Sequence, residues 1–213
     1  MESALTKEVL LQGYREGIFP MSEGRDDPEI FWVNPLKRGV FPIGGFHMSR
    51  SLRRRILKLD YEVRLSAAFD EVVAACAARS ETWINKTIYD IYCQMAEQGL
   101  AHSLEIWRQQ RLIGGVYGVV DGAAFFGESM FSRETDGSKI ALAYLHHRLE
   151  HTGFKLFDVQ FITPHLTSLG AINITRSQYL DQLKQALTQK ADFLDPQYRV
   201  SAYDVAQRRG QTS

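Results

Sequence analysis

The chain has 213 residues, 45% of them hydrophobic and 23% charged, with 25 basic and 25 acidic side chains. This composition is typical of a globular protein with a sizeable core, and a net charge of zero argues against a protein that coats nucleic acid through its overall charge. Apolar runs stay below the roughly 18–20 residues that cross a bilayer, and the N-terminus lacks a signal-peptide pattern, so we expect a cytoplasmic protein.

The first 46 residues predict a small and mostly irregular unit, 1–46. A helix is expected over 6–16, with Thr6 as its N-terminal cap. The stretch that follows is rich in proline, glycine and aspartate. It predicts only short extended pieces, at 30–33 and 39–41.

Strands and helices alternate clearly from residue 61 onward. The predicted strands are 61–65, 103–108, 112–120, 123–131, 155–161 and 172–174, and the predicted helices are 66–78, 84–98, 138–152, 164–169 and 177–189. Asp121-Gly122 is a hairpin-turn signal between two of the strands. This order predicts an α+β fold with a GNAT-like (acetyltransferase-type) core, in which the sheet splays apart and a substrate enters the gap. We assign this core to 47–191 and a C-terminal tail to 192–213.

Cysteine and histidine give no sign of a metal or a disulfide. Cys76 and Cys93 both fall in predicted helices among apolar neighbours, which favours buried free thiols. The histidines lack zinc-ligand spacing, and no serine or cysteine stands at a nucleophile elbow. We expect neither a metal site nor a catalytic triad.

The predicted strand 123–131 carries a carboxylate in an apolar setting. Strict alternation places one set of side chains on one face, Phe125, Gly127, Ser129 and Phe131, and another on the opposite face, Phe126, Glu128 and Met130. A glutamate among such neighbours is expected to be partly desolvated and ready to hold a cation or act as a base. The alternative is a structural pairing with a core arginine or lysine.

Asp158 and Gln160 are two residues apart and share one face of a predicted strand, whose other face is apolar. Two polar groups on one face predict the lining of a polar cleft. Simple solvent exposure of that face is the alternative.

A basic helix, capped by Ser49, is expected to run to about residue 58. It brings Arg50, Arg54 and Lys58 into one row, with Arg53 beside it. Such a row can follow a phosphate backbone, and a solvated charged face is the alternative. Trp83, at the start of a predicted helix, is a candidate for stacking on a base or a peptide, although tryptophan more often packs in a core.

A set of motifs runs in order through nearly the whole chain. The motifs are Gly17-Ile18-Phe19-Pro20, Phe31-Trp32-Val33-Asn34-Pro35, His47-x-Ser49-Arg50-Ser51, Thr82-Trp83-Ile84, Gly99-x-Ala101-His102-Ser103-x-Glu105-x-Trp107, Gly114-Gly115-x-Tyr117-Gly118-Val119, Phe125-x-Gly127-Glu128-Ser129-Met130-Phe131-Ser132-Arg133, Ser138-Lys139, Asp158-x-Gln160 and Leu169-Gly170-Ala171. Together they resemble the leucyl/phenylalanyl-tRNA–protein transferase family. The Gly-Glu-Ser-Met-Phe-Ser run is the most specific of them. The chain departs from the family pattern at Met21, where many members carry tryptophan.

The resemblance implies an activity and its partners. The enzyme would move Leu, or Phe and less well Met, from aminoacyl-tRNA to the α-amino group of proteins that begin with Arg or Lys. The product would be degraded through the N-degron pathway. No cofactor or metal is implied, no membrane partner is expected, and we expect a monomer.

The resemblance also implies roles for particular residues. Gln160 would lie at the reacting carbonyl and amine, with Asp158 hydrogen-bonded behind it, and Glu128 would bind the acceptor or the 3′ adenosine. The aminoacyl pocket would be lined by Phe125, Met130, Leu142, Leu145, Leu149 and Phe157. The adenosine or acceptor surface would include Trp83, Tyr92, Tyr14 and Ser129, and tRNA phosphates would be held by Arg50, Arg54, Arg53 and Lys58.

Two rival functions stay open at the level of sequence. A CoA-dependent N-acyltransferase of the same fold needs a glycine-rich loop at a helix N-terminus. This chain has Glu134-Thr135-Asp136-Gly137-Ser138-Lys139 there, which is acidic with one glycine and disfavours that function. A non-catalytic RNA-binding module would use the basic helix and the aromatic residues alone. It leaves Glu128, Asp158 and Gln160 without a role.

Overall fold

The computed structural model describes residues 5–207, within which the chain forms eight helices and nine strands. In chain order they are α1 Lys7–Arg15, β1 Phe19–Met21, β2 Phe31–Val33, β3 Lys37–Phe41, α2 Arg50–Ile56, β4 Glu62–Leu65, α3 Phe69–Ala77, α4 Lys86–Glu97, β5 Ala101–Arg108, β6 Arg111–Asp121, β7 Ala124–Ser132, α5 Gly137–His151, β8 Leu156–Gln160, α6 Pro164–Ser168, β9 Ile172–Thr175, α7 Arg176–Leu187 and α8 Ala202–Ala206. The predicted helices and strands are all present, with ends shifted by a few residues. The strand β1, which contains Pro20, was not predicted.

The strands β4-β5-β6-β7-β8-β3-β9 form one sheet in that order, called here the main sheet. All its neighbouring pairs are antiparallel except β7 and β8, which are parallel. The strand β3 comes from the N-terminal part of the chain, and it pairs with both β8 and β9. The strands β1 and β2 form a separate small sheet. The predicted α+β class is confirmed.

Helices cover both faces of the main sheet and bury a core on each. The α4-side core contains apolar residues of α1, α3, α4 and α7, whereas the α5-side core contains those of α2, α5, α6 and α8. Local sequence explains where several helices begin, since Thr6 and Ser49 accept backbone hydrogen bonds from Val9 and Leu52, as predicted from their cap positions. Within residues 5–207, every helix is too short or too polar to cross a membrane.

The segment 188–207, which follows α7, packs against the protein through several buried side chains. Phe193 is buried, and so are Ala202, Val205 and Ala206 in and beside α8. They belong to the α5-side core. Residues 1–4 and 208–213 of the expected N-terminal unit and C-terminal tail lie outside the described residues.

Candidate active site

A cavity of about 230 Å³ opens where the parallel strands β7 and β8 stop pairing. The paired residues end at Phe126 and Asp158, while β7 continues to Ser132. Glu128, Met130, Leu142, Gln160 and Trp83 are among the residues that line the cavity. The gap in the main sheet therefore brings a carboxylate, an amide and an apolar wall together.

A bulge in β7 sets the direction of Glu128. Tyr117 pairs with Ser129 and Gly118 with Gly127, so Glu128 is an extra residue without an opposite partner on β6. The predicted strict alternation along this strand is therefore wrong. Phe125 packs in the α5-side core and Phe131 in the α4-side core, although alternation placed both on one face.

Glu128 is 8% exposed as a residue, and its carboxylate accepts hydrogen bonds from two tyrosines and an amide. Tyr14 Oη donates to Oε1 over 2.6 Å, Tyr92 Oη donates to Oε2 over 2.7 Å, and Gln160 Nε2 donates to Oε1 over 3.0 Å. Burial raises the pKa of Glu128, while the hydrogen bonds from the three donors lower it. Burial is the larger effect, and the pKa is raised from 4.5 to about 7. The group therefore exchanges its proton close to neutral pH.

Tyr14 and Tyr92, which were expected on the adenosine or acceptor surface, are fully buried and contact Glu128 from inside the protein. Burial, followed by the charge of Glu128, raises the pKa of both phenols well above their ordinary value, and both therefore act as donors. The Tyr14 ring also stacks on Phe126, with centroids 4.6 Å apart. Their place beneath Glu128 follows from the packing of α1 and α4 on the sheet.

Asp158 is fully buried and forms a bidentate ion pair with Arg38, which sequence reasoning missed. Arg38 Nε and Nη2 lie 2.9 Å and 2.6 Å from the two carboxylate oxygens, and Tyr179 Oη donates to Asp158 Oδ2 over 2.9 Å. The guanidinium also lies over the rings of Phe19 and Tyr179. Burial lowers the pKa of Arg38, but the charge and hydrogen bonds of Asp158 outweigh burial and leave that pKa raised. Arg38 is therefore a permanent cation at the back of the site.

Gln160 is held by Asp158 through its backbone. Its N–H donates to Asp158 Oδ1 over 2.8 Å, and its φ of 60° lies in the left-handed region that residues other than glycine rarely adopt. The side-chain amide points to Glu128 instead of Asp158. The expected contact between Asp158 and Gln160 thus exists, but it fixes the backbone, and Glu128 orients the amide.

The apolar wall of the cavity differs from the expected one. Met130, Leu142 and Phe157 line it, together with four apolar residues that were not predicted, Val116, Val159, Phe161 and Leu166. Phe125, Leu145 and Leu149 do not line it, because all three are buried in the α5-side core. The helix periodicity of α5 indicated which residues face inward but not which of them reach the gap.

Two of the four residues expected on the adenosine or acceptor surface do line the cavity. Trp83 is half-buried beside it, just before α4, and Ser129 follows Glu128 on β7. Arg79, which was not predicted, lies next to them at the end of α3. These residues add further polar and aromatic groups to the cavity wall beside Glu128 and Gln160.

The basic helix α2 exposes the predicted arginines. Arg50, Arg53 and Arg54 are exposed on it, and Lys58 is exposed two residues beyond its end at Ile56. None of these four side chains forms an ion pair with an acidic group in residues 5–207. The surface of α2 therefore carries unneutralised positive charge.

The arrangement suits an acyl transfer that uses general base and hydrogen-bond groups. A carboxylate with a pKa near 7 can take a proton from an attacking amine, and the adjacent amide can orient a carbonyl. Residues 5–207 contain no cluster of three His, Cys, Asp or Glu side chains placed to hold a metal ion.

Comparison with known proteins identifies the family. The sequence model described as "Leucyl/phenylalanyl-tRNA protein transferase" matches residues 40–184, and that of the "Leucyl/phenylalanyl-tRNA protein transferase N-terminal domain" matches residues 3–36. Relatives named leucyl/phenylalanyl-tRNA–protein transferase occur in Cereibacter sphaeroides, 56% identical over 99% of this chain and 98% of the relative, and in Ruegeria pomeroyi, 56% identical over 99% and 100%. Another, from Roseobacter denitrificans, is 56% identical over 98% and 99%. The chain therefore belongs to the leucyl/phenylalanyl-tRNA–protein transferase family, a family of aminoacyltransferases.

Proposed function

We propose that the protein transfers Leu, or Phe and less well Met, from aminoacyl-tRNA to the α-amino group of proteins that begin with Arg or Lys. The product would enter the N-degron pathway for degradation, and the reaction would take place in the cytoplasm on a monomeric enzyme. The observation that carries this proposal is the contact between Glu128 and Gln160 at an apolar cavity of about 230 Å³. Such a cavity is of a size to hold one aminoacyl side chain beside the two polar groups.

In this mechanism the α-amine attacks the ester carbonyl of the aminoacyl-tRNA. A C–N bond forms, the C–O bond to the ribose breaks, and the ribose oxygen leaves with a proton. Glu128, with a pKa of about 7, accepts the proton that the attacking amine loses. Gln160 positions the carbonyl and the amine, and the buried pair of Asp158 and Arg38 holds the backbone of Gln160.

The apolar wall accounts for the choice of aminoacyl group. Met130, Leu142 and Phe157 would contact the Leu side chain, and a β-branched Ile or Val would place a methyl group against the wall. One misplaced methyl group is worth about 1–3 kcal/mol. Trp83 and Ser129 would contact the 3′ adenosine or the acceptor peptide, and Arg50, Arg53, Arg54 and Lys58 would hold tRNA phosphates without reading sequence.

We further propose a GNAT-like core in 47–191, with a small N-terminal unit in 1–46 and a C-terminal tail in 192–213. The core is supported by the parallel pair β7 and β8 and by the gap that opens after Phe126 and Asp158. By its position in the chain, the strand β3 belongs to the proposed N-terminal unit. It nevertheless pairs with β8 and β9 of the proposed core and so places Arg38 there.

Transfer of labelled Leu from its tRNA to a peptide with N-terminal Arg tests the proposal. We expect Gln160→Ala to lower kcat/KM by about 10²–10³-fold, because an orienting donor at the reacting carbonyl is lost. The exposed Gln182 on α7 gives a matched control, and Gln182→Ala should transfer normally.

Three other outcomes would contradict the proposal. Binding of Leu-tRNA without transfer would indicate the RNA-binding module, and label transfer only from acetyl-CoA would indicate the N-acyltransferase. Normal transfer by both Gln160→Ala and Glu128→Ala would disprove the assignment of the site.

A further inference from the structure

A second recess, of about 370 Å³, adjoins the candidate active site. It lies between the end of α3, the end of β7 and the start of α5, and its polar lining comes from Arg79, Ser132, Arg133 and Ser138. Met130 and Arg79 line both this recess and the cavity that contains Glu128. The two spaces are therefore neighbours on one stretch of surface.

The recess carries two exposed cations, Arg79 and Arg133, which have no acidic partner in the described part of the chain. Arg79 donates to the carbonyl of Met130, and Arg133 Nη1 donates to the carbonyl of Leu112 over 3.1 Å while its guanidinium lies over the Phe131 ring. Within residues 5–207, no carboxylate lines the recess, and neither arginine is in an ion pair.

The acidic residues of the adjoining turn are already paired elsewhere. Glu134 binds Arg108 and Arg111, and Asp136 binds Lys139. The positive charge of Arg79 and Arg133 is therefore not cancelled by the acidic turn. Two cations that line one recess together with the Ser138 hydroxyl are suited to an anion with several acceptor oxygens, whereas the Ser132 hydroxyl already donates to the carbonyl of Glu134.

We infer that this recess binds a phosphodiester of the aminoacyl-tRNA close to its 3′ end. The inference rests on the proposed function: the aminoacyl group occupies the Glu128 cavity, and it is esterified to the ribose of the terminal adenosine. The phosphodiester on the 5′ side of that same ribose lies one sugar away from the ester. The recess shares Arg79 and Met130 with the cavity and is therefore the adjoining cationic space for that anion. None of the residues that line this recess belongs to the row of basic residues on α2.

The test compares Arg133→Gln with the wild type in the binding of fluorescently labelled tRNA. We expect about tenfold weaker affinity, as for loss of one charge-assisted hydrogen bond, and a salt dependence shallower by roughly 0.7 in log–log slope. Arg133→Lys, which keeps the charge, should recover most of the affinity. Lys184→Gln, which removes an exposed cation from α7, should bind like the wild type.

The position of the phosphate is tested by shortening the tRNA. With a tRNA that lacks its 3′-terminal nucleotides, Arg133→Gln and the wild type should bind equally, because the group that meets Arg133 is gone. An undiminished difference would overturn the inference, since Arg133 would then act on another part of the tRNA. The inference would also be overturned if Arg133→Gln changed only the KM of the acceptor peptide, because the recess would then bind the acceptor rather than the tRNA.

Transfer assays separate this inference from the proposed function. The ratio of kcat/KM for Leu-tRNA to that for 3′-O-leucyladenosine, which has no phosphate, should fall about tenfold in Arg133→Gln. If the wild type transfers Leu from neither donor, the proposed function is wrong. The binding measurements with whole and shortened tRNA still decide the inference in that case.

Discussion

Glu128 is a carboxylate on which burial and hydrogen bonding act in opposite directions. Three donors, from Tyr14, Tyr92 and Gln160, favour its ionised form, yet burial outweighs them and raises the pKa to about 7. A surface glutamate would be ionised throughout the neutral range and would be a weak base. The buried one gains basicity while keeping a substantial ionised fraction at neutral pH, as a general base requires.

The raised pKa of Glu128 predicts a pH dependence of transfer. Below about pH 7 the group holds its proton and cannot accept another, so the single-turnover rate should rise as pH increases through about 7. Glu128→Gln should be slower by about 10²–10⁴-fold and should lose this rise. The variant should retain a second rise at about pH 8, where the α-amino group of the acceptor loses its proton. An inflection near pH 7 that persists in the variant would contradict the role of Glu128.

At the scale of the element, the bulge in β7 depends on glycine in the neighbouring strand. Gly118 on β6 pairs with Gly127, next to the extra residue Glu128. A Cβ atom on Gly118 would lie 2.3 Å from the carbonyl oxygen of Phe126 and 2.5 Å from Phe125 Cε1. Backbone and buried rings cannot both move away, so the close approach of β6 and β7 requires glycine here.

Gly118→Ala should therefore destabilise the protein by about 3 kcal/mol, at the upper end of the cost of overpacking. The free energy of unfolding in urea measures this. Gly24→Ala is the matched control, because a Cβ atom there meets no other atom within 4 Å, and its stability should stay within about 0.5 kcal/mol of the wild type. Equal stability of the two variants would show that β6 and β7 adjust to a side chain.

At the scale of the whole molecule, the segment 192–207 contributes buried side chains to the α5-side core. Phe193 is 3% exposed, and its ring stacks on His102 and Phe125, with centroids 4.6 Å and 5.6 Å away. Its carbonyl accepts a hydrogen bond from Arg148 Nη1 on α5. The segment thereby contacts β5, β7 and α5, and residues of β7 and α5 line the cavity.

We expect Phe193→Ala to lower the free energy of unfolding by about 3–5 kcal/mol, since a large buried ring is removed from a closed core. Leu194→Ala is the control at the adjacent position, where the side chain is 49% exposed, and its effect should be small. Thermal or urea unfolding of both variants checks this. If Phe193→Ala and Leu194→Ala lowered the free energy of unfolding by similar amounts, the buried position of Phe193 would not be what stabilises the protein.

The sequence by itself determined the features that depend on neighbours along the chain. Cap residues such as Thr6 and Ser49 set helix starts, and Asp121-Gly122 set the turn between β6 and β7. These signals act over a few residues, and the chain order of the elements then indicated the α+β class. Glu128 and Gln160 were also found as candidates, because a polar residue in an apolar strand is visible in the sequence.

Only the tertiary structure decided what those candidates contact. Arg38 contacts Asp158, 120 positions later in the chain, because β3 pairs with β8. Tyr14 contacts Glu128, 114 positions later, because α1 packs on the α4-side face of the main sheet. Alternation cannot reveal a bulge, so the sides of Phe125 and Phe131 were also beyond the sequence pattern. Periodicity indicates which face of a strand or helix a side chain occupies. The burial of Glu128 and its hydrogen-bond partners, which together shift its pKa, depend on the topology of the sheet.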